Sequence, residues 1–97
     1  MYVTAREMIP APGEMQKTIA FGSEIVGVMN NRYGTAMAMS TEIGGVPNKV
    51  WLSGFWNSLD EYQSFLESYM SDQQMMAAIN MSTSFMVDIQ DQIGEIL

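Results

Sequence analysis

Four side chains have types and placing that could do chemistry: Arg6, Trp56, Tyr62 and Tyr69. Arg6 lies in a run of strand formers, where its planar fork of donors could grip a carboxylate or an enolate. Trp56 closes a second such run just before a helix signal. From that corner an indole could wall an aromatic-ligand pocket, with neighbouring Gly54 leaving room for the ligand. Tyr62 and Tyr69 are spaced to share one helix face, and a phenol there could orient a bound molecule. Each residue also has a plainer role. Trp56 would plug the core at the strand–helix corner. The tyrosines would pack with their hydroxyls at the surface. Arg6 would pair with Glu7, Glu42 or Asp88 at a sheet edge or subunit contact.

What is missing narrows the chemistry further. The chain contains no His and no Cys, which removes Ser-His and Cys-His nucleophile pairs, a histidine base, thiolate chemistry and imidazole ligation of zinc or haem. Its 11 Met include Met37-Ala38-Met39 and Met75-Met76, and thioethers suit soft Cu(I). The ordinary use of Met is as flexible filler of a core or an adaptable pocket. Asp88, Asp91 and Glu95 lack calcium-loop spacing and read as a solvated acidic rim. No metal and no cofactor are expected.

The charges are few and unevenly placed. Of 97 residues only 15% are charged and 47% are hydrophobic, with 4 Lys and Arg against 11 Asp and Glu for a net charge of −7. Arg6, Lys17, Arg32 and Lys49 all precede residue 50, so the second half carries the whole excess. Such a surface repels phosphate backbones and argues against nucleic-acid partners. The N-terminal charges Arg6 and Glu7 interrupt any secretory apolar run, and no segment reaches the ~18 apolar residues of a membrane span. A cytoplasmic location and no membrane partner are expected. A chain this short buries roughly 60–65% of its unfolded surface, which makes one domain over residues 1–97.

The elements that must position these residues follow from punctuation and period. Tyr2 to Ile9 reads as a strand ended by Pro10-Ala11-Pro12-Gly13. From Glu14 to about Asn31, Met15, Ile19, Val26 and Met29 recur at helical spacing, and of Gly22 and Gly27 one should permit close approach to a sheet. Thr35 to Ile43 alternates small and large side chains. Gly44-Gly45-Val46-Pro47-Asn48 is turn chemistry, and Lys49 to Trp56 completes a hairpin. Ser58-Leu59-Asp60-Glu61 is a capping box opening a helix through Tyr62 and Tyr69. A second box at Ser71-Asp72-Gln73-Gln74 breaks and restarts that helix. Phe85, Val87 and Ile89 alternate with Asp88 and Gln90 in a last strand, followed by a tail from Asp91.

The order is β-α-β-β-α-β, a ferredoxin-like α+β fold with two helices on one face of a four-stranded antiparallel sheet. The uncovered face would display Trp51 and Phe55, opposite to Leu52 and Trp56. Exposed apolar bulk on a protein of such low charge predicts a homodimer by sheet packing, with Trp51 and Phe55 at the interface.

This order, with Val50-Trp51-Leu52-Ser53-Gly54-Phe55-Trp56-Asn57-Ser58-Leu59-Asp60-Glu61-Tyr62, resembles the dimeric α/β-barrel superfamily and its antibiotic-biosynthesis monooxygenase-like branch. The resemblance implies paired protomers closing a barrel and a range of roles: cofactor-free oxygenation, haem degradation, isomerisation and stress response. Haem-degrading members use a histidine beyond the Trp and an Asn on strand one. This chain has Leu66 and Tyr69 in that stretch of helix and no Asn in the strand. Quinone-forming members place an Asn shortly before the Trp, where Leu52 and Ser53 stand here, so only Trp56 carries over.

Three functions are therefore set side by side: a binder of a small apolar or aromatic molecule between sheet and helices, a cofactor-independent monooxygenase or isomerase, and a ligand-free assembly module. The first two call for a cavity of roughly 300 Å³ beside Trp56.

Overall fold

A computed structural model describes residues 1–41 and 48–97. The expected turn from Gly44 to Asn48, all but Asn48 itself, and the end of its leading strand, Glu42 and Ile43, lie outside the described residues. The elements run β1 (Tyr2–Pro10), α1 (Met15–Tyr33), β2 (Ala36–Thr41), β3 (Val50–Trp56), α2 (Leu59–Met70), α3 (Gln73–Ser82) and β4 (Met86–Glu95). The strands form one antiparallel sheet in the order β2-β3-β1-β4, the ferredoxin-like arrangement. No helix among the described residues is long and apolar enough to cross a membrane.

Register settles which residues meet the helices, because directly opposed residues share a face. Met8, Arg6 and Thr4 of β1 oppose Val50, Leu52 and Gly54 of β3. Met8, Val50 and Leu52 of the sheet and Met86 at the start of β4 are buried in one cluster with Ile25 and Met29 of α1, Tyr69 of α2 and Met75 of α3. Four of the eight residues of this cluster are Met: Met8, Met29, Met75 and Met86. Thioether side chains thus fill the irregular space between helices and sheet.

Of Gly22 and Gly27, Gly22 is the close approach. A Cβ there would stand 2.8 Å from the Met39 sulfur and 3.4 Å from Leu52 Cδ2, whereas one at Gly27 would meet nothing within 4 Å. Gly27→Ala is accordingly expected to stabilise the fold by about 0.5–1 kcal/mol through helix propensity, and Gly22→Val to cost about 1–3 kcal/mol by overpacking. Thermal denaturation of the two variants against the parent checks both signs.

The junctions show what local chemistry fixed. Ser58 Oγ accepts from Glu61 N at 3.1 Å and the Glu61 carboxylate accepts from Asn57 N at 2.8 Å, closing the expected box with its return arm one residue earlier. The second box is corrected. Asp72 caps α3, accepting from Met75 N at 3.2 Å, while Ser71 ends α2 and donates its hydroxyl to Glu67 O at 2.8 Å.

The last strand also departs from expectation. β4 runs on to Glu95, so most of the expected tail is strand. Pairing slips between Ile9 and Pro10, where Ile9 opposes Asp88 but Pro10 opposes Met86. Val87 is the extra residue of this bulge and is exposed, while Met86 is buried in its place. Phe85 lies before the strand and meets Phe21 edge-on at 5.9 Å.

On the uncovered face, Trp51 and Phe55 stand as expected, with Phe55 44% exposed. Val3 and Ala5 of β1 and Ala36 and Ala38 of β2 extend the apolar strip, since they oppose Phe55 or Ser53. β4 gives the same face Asp88, Gln90 and Gln92. Apart from Ser40, Ser53 and Glu7 the face is thus apolar across three strands, and it is polar along the β4 edge. Between the two zones Glu7 is nearly buried, and Lys49 Nζ sits 2.8 Å from its carboxylate and 5.9 Å from the Trp51 ring centroid.

Candidate functional site

Arg6 opposes Leu52 on one side and Asp91 on the other, so its side chain leaves the sheet toward the helices. There it meets a partner that sequence reasoning did not name. Arg6 Nε donates to Asp91 Oδ1 at 2.7 Å and Nη2 to Oδ2 at 2.9 Å, while Nη1 reaches the Tyr69 hydroxyl at a long 3.4 Å. The expected partners fall elsewhere. Glu7 is held by Lys49, Asp88 accepts from Ile89 N and Gln90 on its own strand, and Glu42 lies outside the described residues. The hydrogen-bonded Asp91 carboxylate holds Arg6 charged above its ordinary range. The acidic rim is corrected with it: Asp91 sits on the helix side and Asp88 on the other.

Trp56 is 2% exposed. Its ring nitrogen donates to Thr4 Oγ1 at 3.0 Å, which satisfies the polar edge of a buried indole. Gly54 lies beneath it: a Cβ there would stand 3.0 Å from Trp56 Cζ2 and from Thr4 Oγ1. The space that Gly54 leaves is therefore taken by the indole itself and not by a ligand. Tyr62 and Phe65 cover the other side of the ring, with centroids 5.1 and 4.9 Å away.

These groups converge on one cavity. It measures about 60 Å³ and is bordered by Arg6, Trp56, Tyr62, Phe65, Leu66, Tyr69 and Asp91, with Met29, Met37 and Leu52 at its apolar base. Thus Arg6, Trp56, Tyr62 and Tyr69 come together, while Trp51 and Phe55 stand on the opposite face of the sheet. Trp56 plugs the corner and walls the cavity at once. The Tyr69 ring is buried, yet its hydroxyl turns to Arg6 and not to the surface. Burial pushes the Tyr62 phenol above its usual range and the Asp91 charge adds to this, so Tyr62 stays a protonated donor at neutral pH. The volume is about a fifth of the roughly 300 Å³ that a whole drug-sized ligand calls for. It admits one small group, and anything larger must extend beyond it.

A second cluster braces the site from behind. Asp72 accepts from the Tyr33 hydroxyl at 2.6 Å and from Arg32 Nη1, and Arg32 Nη2 donates to Gln74 Oε1 at 3.0 Å. Bonds from Tyr33, Arg32 and Met75 N hold the Asp72 carboxyl down at about 2, against 3.8 ordinarily. A lowered folded-state value stabilises the protein above the unfolded value and is lost as pH falls through the folded one. The Asp72 contribution is thus complete at neutral pH and disappears between about pH 4 and 2. Asp72→Asn is expected to lower stability at pH 7 and to flatten the acid unfolding curve in that window, measured by circular dichroism. Equal acid slopes for the two proteins would contradict it.

No protein-family model matches the sequence, and no curated protein matches it. Solved structures do. An uncharacterised NIPSNAP domain protein from Burkholderia xenovorans superposes with a TM-score of 0.83 at 13% identity, covering 100% of this chain and 95% of that one. A NIPSNAP family protein from Agrobacterium tumefaciens gives 0.80 at 18% identity, covering 97% and 90%. The chain has the ferredoxin-like fold of these proteins. A candidate antibiotic biosynthesis monooxygenase from Deinococcus radiodurans shares this fold, with a TM-score of 0.77 at 11% identity and coverage of 99% and 92%. Identities this low carry the ferredoxin-like fold and no activity with it, since one fold hosts many functions.

Proposed function

We propose that this chain forms a homodimer by sheet packing, as in a dimeric α/β barrel, and binds, between sheet and helices, a small apolar or aromatic molecule bearing a carboxylate or enolate oxygen. The carrying observation is the position of Arg6, a guanidinium opening onto a cavity whose base is Met29, Met37 and Leu52 and whose walls are aromatic. A structural ion pair alone needs no such cavity. Asp91 takes Nε and Nη2 and fixes the plane of the fork, which leaves Nη1 beside the Tyr69 hydroxyl as the donor edge for a ligand oxygen. Tyr62 covers the apolar part. The smallness of the cavity favours the ligand-free assembly module as competitor, and binding decides between them.

The experiment is a titration with benzoate, following Trp56 emission in a Trp51→Phe background. Saturable binding is expected, and Arg6→Met should weaken it about 10- to 100-fold, the worth of a charged hydrogen bond. No saturation, or equal affinity in the Arg6→Met variant, would remove the reading. The fold shared with candidate monooxygenases favours a second reading, cofactor-independent oxygenation or isomerisation by positioning and desolvation. Oxygen uptake with dihydroxyaromatic substrates above the protein-free rate would select it over simple binding.

A further inference from the structure

We infer that Phe65 is the partition that sets the length of molecule the site accepts, an inference that rests on the binding reading and names the residue limiting it. Two voids meet at this ring. On one side is the 60 Å³ cavity beside Arg6. On the other is an open hollow of about 500 Å³ between the C-terminal end of α1 and the side of α2, bordered by Tyr33, Thr35, Ser64 and Ser68. Trp56 and Phe65 border both.

Ring geometry puts Phe65 in the middle. Its centroid is 5.5 Å from Tyr69 on the inner side and 5.8 Å from Tyr33, held edge-on, on the outer side. Three of its four neighbouring rings are tethered: Tyr33 donates to Asp72, Trp56 donates to Thr4, and Tyr69 accepts from Arg6. Phe65 has no polar atom and is held by packing alone. It is therefore a wall whose size can change without unpairing a buried polar group. With Phe65 in place, a molecule anchored at Arg6 has one small group's depth. With a smaller residue, the cavity joins the hollow and takes an elongated molecule, its far end lying between Tyr33 and the Ser64 and Ser68 hydroxyls.

The test uses the Trp51→Phe background and two probes, benzoate and a biphenyl carboxylate with its rings in line. Phe65→Ala is expected to bind the biphenyl probe about tenfold or more tightly than the parent, the scale on which hydrophobic pockets discriminate by size. Phe65→Leu, which keeps more of the packing should the Ala variant not fold, is expected to fall between them. Equal biphenyl affinity across parent, Leu and Ala variants would overturn the inference. A parent that fails to bind benzoate counts against the binding reading alone, because the effect of Phe65 is read from the biphenyl probe.

Discussion

Trp56→Ala should cost about 3–5 kcal/mol of stability, the range for truncating a large buried aromatic. Of a total of about 5–15 kcal/mol for a domain of this kind, that is enough to leave the variant near its unfolding threshold. The physical case has three parts. The indole is 2% exposed, so nearly all its apolar surface returns to water on unfolding. Its removal empties the ledge that Gly54 keeps clear and strips Tyr62 and Phe65 of their shared neighbour. It also deprives Thr4 Oγ1 of its donor, although a hydroxyl can turn to another partner. Trp56→Phe keeps part of the packing and should lose less than half as much. At ~4–8 °C per kcal/mol for a domain of this size, the Ala variant should melt tens of degrees lower, which calorimetry measures. A loss below about 1 kcal/mol would mean that Trp56 is no anchor.

The second large effect concerns the uncovered face. Phe55→Asp should convert a dimer at micromolar concentration into a monomer, raising the dissociation constant about a thousandfold or more, which is about 4 kcal/mol. In a two-fold interface each substitution counts twice, and an aspartate buried there without a cation costs several kcal/mol per copy. Phe55 is exposed on an apolar strip that also carries Trp51, Val3 and Ala5, so the folded protomer itself loses little by the change. Sedimentation, with circular dichroism to verify folding, reads the outcome. A monomeric parent, or a variant still dimeric at the same concentration, would contradict sheet packing. Asp88, Gln90 and Gln92 on β4 give the apolar strip a polar border.

The parts of this architecture legible in the sequence are those that local chemistry dictates. The period of two in β3 separates Trp51 and Phe55 from Leu52 and Trp56, because successive strand side chains must alternate. The Ser58 and Glu61 cap is a matter of four consecutive residues. That one of Gly22 and Gly27 in α1 permits a close approach was legible, and the neighbours Met39 and Leu52 select Gly22. What was not legible depends on register between distant segments. The partner of Arg6 is Asp91, 85 residues away, and nothing in the spacing of either strand selects it over Asp88. The bulge at Val87 shifts that register and defeats the simple alternation of Phe85, Val87 and Ile89. Gly54 clears space, but only the rotamer of the next-but-one side chain shows that an indole fills it. Asp72 is chosen over Ser71 as the cap where its carboxylate can also receive Tyr33 and Arg32 from α1, a tertiary fact. Phe65, absent from the sequence reading of the site, is one apolar helix residue among several until its four ring neighbours are in place.

The central claim is that the Arg6 and Trp56 cavity holds a small molecule. It is met most directly by native mass spectrometry of the protein purified gently from its own host, in parallel with the Arg6→Met variant. The account predicts a retained small molecule on the parent, released on denaturation, anionic and apolar or aromatic in character, and missing from the variant. Bare chain masses for both proteins would contradict it.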